Sequence, residues 1–172
     1  LSAAAKGETF PWAFNYPTSY FSQMTSILKY IDSQTGLKDQ KIGFIFLESG
    51  YGREPIPVLE QLAPKFGFEY FLLPVAGKDA QNQSSHWLTV RKEKPDWMIM
   101  WGWGVMNQVA IKQASSIKFP MENFIGIWWS GSENDVMPAG AGAHGYKALT
   151  FNAPGDDSVS YTHLTLPTTL PV

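Results

Sequence analysis

The feature that most constrains the fold is a repeated alternation of short apolar runs with longer segments of helical periodicity. The runs at 41–47 and 97–101 are almost continuously apolar, which is typical of strands buried on both faces of a parallel sheet. Helices are predicted at 18–36, 54–66, 82–94 and 105–117, and further strands at 68–73, 124–128 and 145–151. Strands separated by helices imply right-handed crossovers. The sequence therefore predicts an α/β fold with a doubly wound, mainly parallel sheet.

Cap and breaker residues set the ends of these predicted helices. Thr18 is positioned to cap the first helix, and Asn82 is positioned to cap the third. Pro57 and Pro64 lie inside the second helix, where a proline nitrogen donates no hydrogen bond. We therefore expect that helix to start late and stop early. Residues 132–135 resemble a capping box, which predicts a short further helix.

Composition limits the classes of function. Hydrophobic residues make up 44% of the 172 residues and charged residues 16%, which suits a buried core rather than disorder. The net charge is -2 and no basic face is clustered, so nucleic acid is not an expected partner. The absence of cysteine excludes disulfides, thiolate metal sites and cysteine nucleophiles. No apolar run reaches the roughly 18 residues that a membrane-spanning helix needs.

Three loops are predicted to meet at one edge of the sheet. Ligands of open parallel sheets bind beyond the carboxyl ends of the strands, and the loops there are 48–52, 102–104 and 128–131. Their glycine, aromatic and hydroxyl residues suit a small ligand that is partly apolar and partly polar. The candidate ligand-binding residues are Ser49, Tyr51, Trp103, Gly104, Trp128 and Trp129. Packing in the core or within the loops is the alternative role for the same aromatic side chains.

Sequence patterns for catalysis and for cofactor binding are incomplete in this chain. Gly102-Trp103-Gly104 begins a dinucleotide fingerprint, but Asn107 replaces its third glycine. The glycine-flanked serine of a nucleophile elbow is absent from the sequence. His86, His144 and His163 are scattered, and none lies near a carboxylate at the spacing of metal ligands. We therefore expect no catalytic residue, no metal site and no cofactor.

The order and spacing of these segments resemble the type 1 periplasmic solute-binding proteins. That family includes the branched-chain amino acid and amide binding components of ABC transporters. Residues 41–45 through Tyr51-Gly52 resemble its strand and Tyr-Gly loop, and residues 94–99 resemble its Pro-Asp segment and the apolar strand that follows. Helical matches lie at 62–68 and 113–114, and residues 10–31 resemble the stretch where the chain enters the second lobe. The resemblance covers about residues 9–155.

The resemblance implies that the chain is mostly the second lobe of a two-lobed protein, and incomplete. The first lobe would precede residue 1, and the last part of the second lobe would follow about residue 155. We therefore expect a partial solute-binding domain over residues 1–157. Residues 158–172 show no helical stripe and resemble translated sequencing adaptor, which predicts a non-native or disordered tail.

Individual residues extend the resemblance to the expected cleft. Tyr51 falls where the family places an aromatic ring over the ligand, and Trp103 falls in a loop where another ring flanks it. Trp128 falls near the acid that pairs with the ligand ammonium group in amino acid binders, which weakens the expectation of such a group here. Asn82-Gln83 is a further departure, because the family often has an Asp-aromatic pair there. The resemblance leaves an amide, a carboxylate or an aromatic compound as the expected ligand.

The function implied by the resemblance is that of the periplasmic, exported solute-binding component of an ABC importer, which is not an enzyme. Its expected partners are a small solute, held by closure of two lobes, and permease subunits in the membrane. The complete protein is expected to be a monomer. One alternative is a ligand-sensing domain of a receptor or regulator with the same fold, which a downstream membrane or signalling segment would indicate. Another alternative is an α/β enzyme that uses Glu48, Ser49 or Asp135.

Overall fold

The structure is a computed structural model that describes residues 18–150. Its strands are β1 Lys41–Leu47, β2 Glu69–Val75, β3 Trp97–Trp101, β4 Phe124–Gly126 and β5 Lys147–Ala148. They form one five-stranded sheet in the order β2-β1-β3-β4-β5, and every neighbouring pair is parallel. The predicted α/β class with a parallel sheet is therefore confirmed.

Helices connect the strands. They are α1 Tyr20–Thr35, α2 Gly50–Arg53, α3 Ile56–Phe66, α4 Ser84–Glu93, α5 Val105–Ser116 and α6 Glu133–Val136. Short 3-10 turns occur at Gly77–Asp79, Met121–Asn123, Trp128–Ser130 and Met137–Ala143. Within residues 18–150, none of the helices combines the length and apolarity needed to cross a membrane.

Two apolar layers cover the two faces of the sheet. On one face, Ile27 of α1 and Leu59 of α3 pack with Ile42, Phe44 and Phe46 of β1. The other face is covered by α4 and α5, in a cluster that includes Ile45, Trp87, Met98, Met100 and Ile111. Successive strand residues thus alternate between the layers, as the period of two in a strand requires. Because helices cover both faces, the sheet is doubly wound.

The strand order creates a crevice between β1 and β3. β1 continues through α2 and α3 to β2 on one side, whereas β3 continues through α5 to β4 on the other side. The two connections diverge above adjoining carboxyl ends, which is where ligands of such sheets bind. The loops that flank the crevice begin at Glu48 and at Gly102.

The first and third long helices are capped differently from the prediction. Ser19 rather than Thr18 caps α1, and its hydroxyl accepts a backbone N–H hydrogen bond at 3.2 Å. α4 is preceded by Gln83 rather than capped by Asn82. The Gln83 amide instead donates to the Met106 carbonyl at 2.9 Å, deep in the core. This inward bond fixes the start of α4 without a side-chain cap.

α3 starts late, as predicted, but it does not stop early. It begins at Ile56 and runs through Pro64 to Phe66. Pro64 is exposed, so the carbonyl that loses its amide partner can bind water instead. The helix ends at Gly67, where a φ of 73° gives the left-handed C-cap that glycine tolerates.

The last two strands are shorter than predicted. β4 ends at Gly126, and Trp128 begins a 3-10 turn instead of ending the strand. The Ser130 amide donates to the Ile127 carbonyl at 2.7 Å, which turns the chain at this point. β5 covers Lys147–Ala148 within the predicted 145–151. Residue 151, the domain limit at 157 and the tail at 158–172 lie outside the described residues.

Candidate functional site

Three loops converge on one backbone carbonyl at the carboxyl edge of the sheet. The Gly102 oxygen, directly after β3, accepts a hydrogen bond from Tyr51 Oη at 3.2 Å. It also accepts a hydrogen bond from Ser130 Oγ at 3.1 Å. Tyr51 lies in α2 directly beyond β1, and Ser130 lies in the turn beyond β4. The structure therefore joins the loops that the sequence analysis assigned to one edge.

The position of this carbonyl requires glycine at residue 102. A Cβ atom there would lie 2.6 Å from Asn107 Oδ1 and 3.0 Å from Met106 Sδ. Any larger residue would displace the first turn of α5 or the Asn107 amide. Gly102 therefore serves close packing, and the dinucleotide fingerprint that it resembled has no role in this arrangement.

Buried Asn107 connects α5 with the chain beyond β4. Its Nδ2 donates to the Trp129 carbonyl at 2.9 Å and to Asp135 Oδ1 at 3.3 Å. Its Oδ1 lies 3.2 Å from Ser130 Oγ. The other Asp135 oxygen accepts from the Ser132 N–H at 3.2 Å and from Ser132 Oγ at 2.9 Å, which completes the predicted capping box of α6. The Asp135 carboxylate is thus occupied by structural hydrogen bonds.

Two tryptophan side chains stand exposed above this polar network. Trp103 is 58% exposed and Trp129 is 41% exposed. Their ring centroids are 6.2 Å apart and the ring planes meet at 87°. Large aromatic side chains usually bury most of their surface, so two exposed indoles at the ligand edge of a sheet indicate a contact surface. We call the pair the tryptophan corner.

Trp128 and Tyr20 support the tryptophan corner from behind. The Trp128 ring lies 3.9 Å from the Trp129 ring, tilted by 32°, and packs against the core cluster beneath α1. The Trp129 indole N–H donates to Tyr20 Oη at 3.1 Å. Tyr20 also meets Tyr51 edge to face, with centroids 5.2 Å apart. No sequence signal indicated the role of the Tyr20 hydroxyl.

Burial raises the pKa of two tyrosines of this region, Tyr51 and Tyr146. Burial, reinforced by nearby Tyr20, raises the pKa of Tyr51 far above its ordinary value. Burial, with smaller contributions from Asp135 and Tyr51, likewise raises the pKa of Tyr146. Tyr146 Oη donates to the Ser130 carbonyl at 2.8 Å. Both phenols therefore act as hydrogen-bond donors that hold the loops.

Ser49 and Gly104 shape the loops in which they lie. Ser49 caps α2, because its Oγ accepts from the Gly52 N–H at 3.2 Å. Gly104 precedes α5 with a φ of 58° and a ψ of -138°, a backbone conformation that side chains disfavour. The charged pair of the first loop is self-contained, with Arg53 Nη2 2.7 Å from Glu48 Oε1. A ligand-binding role for Ser49, Gly104 and the aromatic residues remains a prediction.

Metal-ligating side chains do not cluster in the described part of the chain. Between residues 18 and 150, no group of three or more His, Asp or Glu side chains could hold an ion. His86 Nε2 lies 2.8 Å from the Pro74 carbonyl, at an exposed position on the surface. The arrangement at the edge of the sheet thus combines exposed aromatic rings with a network of hydroxyl, amide and backbone hydrogen bonds.

Comparison with families and curated proteins gives one match. The sequence matches the family described as "Periplasmic binding protein" over residues 1–162. No curated protein matches the chain.

Solved structures share the fold. A protein described as an ABC transporter permease from the Pseudomonas fluorescens group is 36% identical with a TM-score of 0.83, over 94% of this chain and 40% of that one. A fatty acid ABC transporter substrate-binding protein from Thermomonospora curvata is 21% identical with a TM-score of 0.70, over 86% of this chain and 41% of that one. A branched-chain amino acid ABC transporter protein from Thermus thermophilus, with bound valine, is 18% identical with a TM-score of 0.71, over 90% and 41%. The chain thus spans about 40% of the length of these proteins.

Proposed function

The chain belongs to the periplasmic binding protein family, and from that membership we propose that it supplies one lobe of the solute-binding component of an ABC importer. The family and its structural neighbours are non-enzymatic solute binders. An exported protein that captures a small molecule is consistent with an edge that offers aromatic rings and no catalytic group. The descriptions of two of these structures name different solutes, a fatty acid in one and valine in the other. The solute of this chain must therefore be argued from its own side chains.

The observation that carries the proposal is the tryptophan corner at the carboxyl edge of the sheet. Trp103 and Trp129 are held above a carbonyl that fixes three loops. A surface whose loops are tied together before a ligand arrives pays little ordering cost on binding. This preorganisation supports a role in ligand capture by the loops after β1, β3 and β4.

In the proposed mechanism the solute lies between this lobe and a second lobe. Hinge closure brings the second lobe onto the solute, so that each lobe contributes part of the contact surface. The Tyr51 ring and the two indoles cover the solute from this side, while the buried hydroxyls below hold the loops in place. The closed protein then delivers the solute to permease subunits of the membrane. The proposed setting is the periplasm, with a monomeric complete protein.

The test is a solute titration of the chain by saturation-transfer NMR, with amino acids, amides, fatty acids and aromatic carboxylates as probes. The comparison variant is Trp103→Ala, which removes an exposed ring. We expect it to weaken binding by about 1–3 kcal/mol, which is what truncating an aromatic anchor commonly costs.

The matched control is Leu88→Ala, which truncates a residue that is also exposed, at 63%, but lies on α4 away from the edge. It should leave binding unchanged. Failure of every probe to bind the folded chain would contradict the proposed function, as would equal affinities of the Trp103→Ala variant and the unmodified chain.

A further inference from the structure

We propose that the tryptophan corner takes a flat aromatic ring, so that the solute is an aromatic compound whose charged group faces away from this lobe. The inference rests on the proposed function, since it names the solute class of the same site. Two properties of the corner carry it, the angle between the exposed indoles and the absence of free charge in the loops around them.

The angle between the indoles suits a third ring. Trp103 and Trp129 meet edge to face, at 87° with centroids 6.2 Å apart, and their exposed surfaces would border a right-angled recess. Aromatic rings prefer offset-stacked or perpendicular contacts. A flat ring placed in the recess stacks on one indole and meets the other at right angles, so it makes both preferred contacts at once. An aliphatic side chain gains only the burial of its surface there.

The Trp129 ring is held firmly enough to act as a fixed wall. Trp128 covers it at a centroid distance of 3.9 Å, and Tyr20 Oη accepts its N–H hydrogen bond at 3.1 Å. Asn107 binds the Trp129 carbonyl at 2.9 Å. A ring fixed by a tilted ring contact, a side-chain hydrogen bond and a backbone hydrogen bond loses little freedom when a ligand covers it.

Among the described residues, the three loop segments at the corner present no unpaired charge. The segments 48–53, 102–104 and 127–132 contain two charged residues, Glu48 and Arg53, and these form an ion pair with a 2.7 Å contact. Nearby Asp135 is occupied by Asn107 and Ser132. A buried ligand charge needs an opposite charge or several hydrogen bonds, so a charged group of the solute must face another part of the binding protein.

This arrangement disfavours the ammonium group of an amino acid on this side of the solute. An indole face attracts cations, but cages for quaternary ammonium groups enclose them with several rings. Here two indoles are exposed, while Tyr20 and Tyr51 are half-buried. The corner is therefore shaped for a flat ring rather than for a round cation.

The test compares two probes of the same charge and similar size, one with a flat aromatic ring and one with a saturated ring. Benzoate and cyclohexanecarboxylate each have one six-membered ring and one carboxylate. Each probe is titrated into the 172-residue chain and its binding is followed by saturation-transfer NMR. Benzoate should bind about three- to tenfold more tightly than cyclohexanecarboxylate, the usual range for a favourable ring contact. Valine and tetramethylammonium serve as aliphatic amino acid and cation probes, and both should bind more weakly than benzoate.

The variant for this comparison is Trp103→Leu, which keeps an apolar side chain and removes the ring. It should abolish the preference for benzoate over cyclohexanecarboxylate. The matched control is Phe66→Leu, which changes an exposed aromatic residue at the end of α3 that precedes β2, on the opposite edge of the sheet. That variant should keep the preference.

The outcomes separate the inference from the proposed function. Equal affinities for benzoate and cyclohexanecarboxylate, or tighter binding of valine or tetramethylammonium, would overturn the aromatic class and leave a solute-binding lobe standing. A preference for benzoate that survives in Trp103→Leu would also overturn it. Binding of no probe from this set or from the wider solute panel, by a chain that circular dichroism shows to be folded, would overturn both proposals.

Discussion

At the scale of single residues, the candidate site depends on backbone positions that accept little besides glycine. Gly102 leaves room for the Asn107 amide, because a Cβ would come within 2.6 Å of Asn107 Oδ1. Gly104 has room for a Cβ but adopts a φ of 58°. The first glycine is required by packing and the second by conformation, and together they fix Trp103 between them. The two requirements give substitutions there different physical causes.

Gly104→Ala is expected to destabilise the chain by about 1–3 kcal/mol, the usual cost of an unfavourable backbone conformation. Chemical denaturation measures the change in the free energy of unfolding. Gly50→Ala is the control, since Gly50 also has no atom within 4 Å of a Cβ and its φ is not positive. Equal stabilities of the two variants would show that the conformation of residue 104 carries no strain.

The buried phenol of Tyr51 predicts a loss of stability at alkaline pH. Burial raises its pKa in the folded chain, so the unfolded chain ionises first, near the ordinary value of about 10. The stabilisation is complete below that pH and is lost as the pH rises toward the folded pKa. Tyr51→Phe should therefore lose less stability than the unmodified chain between about pH 9 and pH 11. Parallel pH profiles from urea denaturation would contradict this assignment.

At the scale of elements, the local sequence pattern predicts the central strands. It does not predict the conformation of the turn after β4. β1 and β3 lie within their predicted ranges because continuous apolar runs favour strands buried on both faces. Residues 128–131 were predicted as a loop, but the strand before them was predicted to run to Trp128, where the 3-10 turn Trp128–Ser130 already begins. Its conformation depends on hydrogen bonds to distant residues, such as that from Asn107 to the Trp129 carbonyl. Contacts between residues far apart in sequence leave no periodic signal.

The candidate site was likewise predictable from the sequence only in part. Parallel topology brings the loops after β1, β3 and β4 to one edge, so the sequence sufficed to nominate Tyr51 and Trp103. Tyr20 and Asn107 were not nominated. Their hydrogen bonds to the Trp129 segment bridge 109 and 22 positions, and only the tertiary fold brings those groups together.

Asn107 bridges α5, the turn after β4 and α6. Removing its side chain should therefore lower the stability of the chain and loosen the turn at the same time. Asn107→Ala should cost about 1–3 kcal/mol, because the Trp129 carbonyl and a carboxylate oxygen of Asp135 lose a buried partner. It should also shift tryptophan emission to longer wavelength as Trp129 becomes more exposed. Gln108→Ala is the control, on the same helix at a half-buried position where the described structure shows no side-chain hydrogen bond. Equal effects of the two variants would remove the bridging role.

At the scale of the whole molecule, residues 18–150 present an edge with exposed apolar side chains. It spans about 40% of the length of its structural relatives, and the tryptophan corner is uncovered in the residues described. Exposed apolar surface of this kind promotes association between molecules. The behaviour of the chain in solution should therefore depend on its concentration.

Sedimentation velocity measures this dependence. We expect association to increase with concentration and to fall in the double variant Trp103→Ser and Trp129→Ser. The control is Leu88→Ser, which adds the same hydroxyl at an exposed site on α4 and should leave association unchanged. A single monomeric species at all concentrations would show that the tryptophan corner does not mediate self-association.

The shared Gly102 carbonyl has a kinetic consequence. Hydroxyls from two different loops bind it, so the chain segments around the crevice are already in place when a solute collides with them. The proposed capture of a solute by this lobe would then involve no slow rearrangement, and its association rate would follow diffusional encounter. Competing solutes should enter at similar rates and be distinguished by how long each one stays.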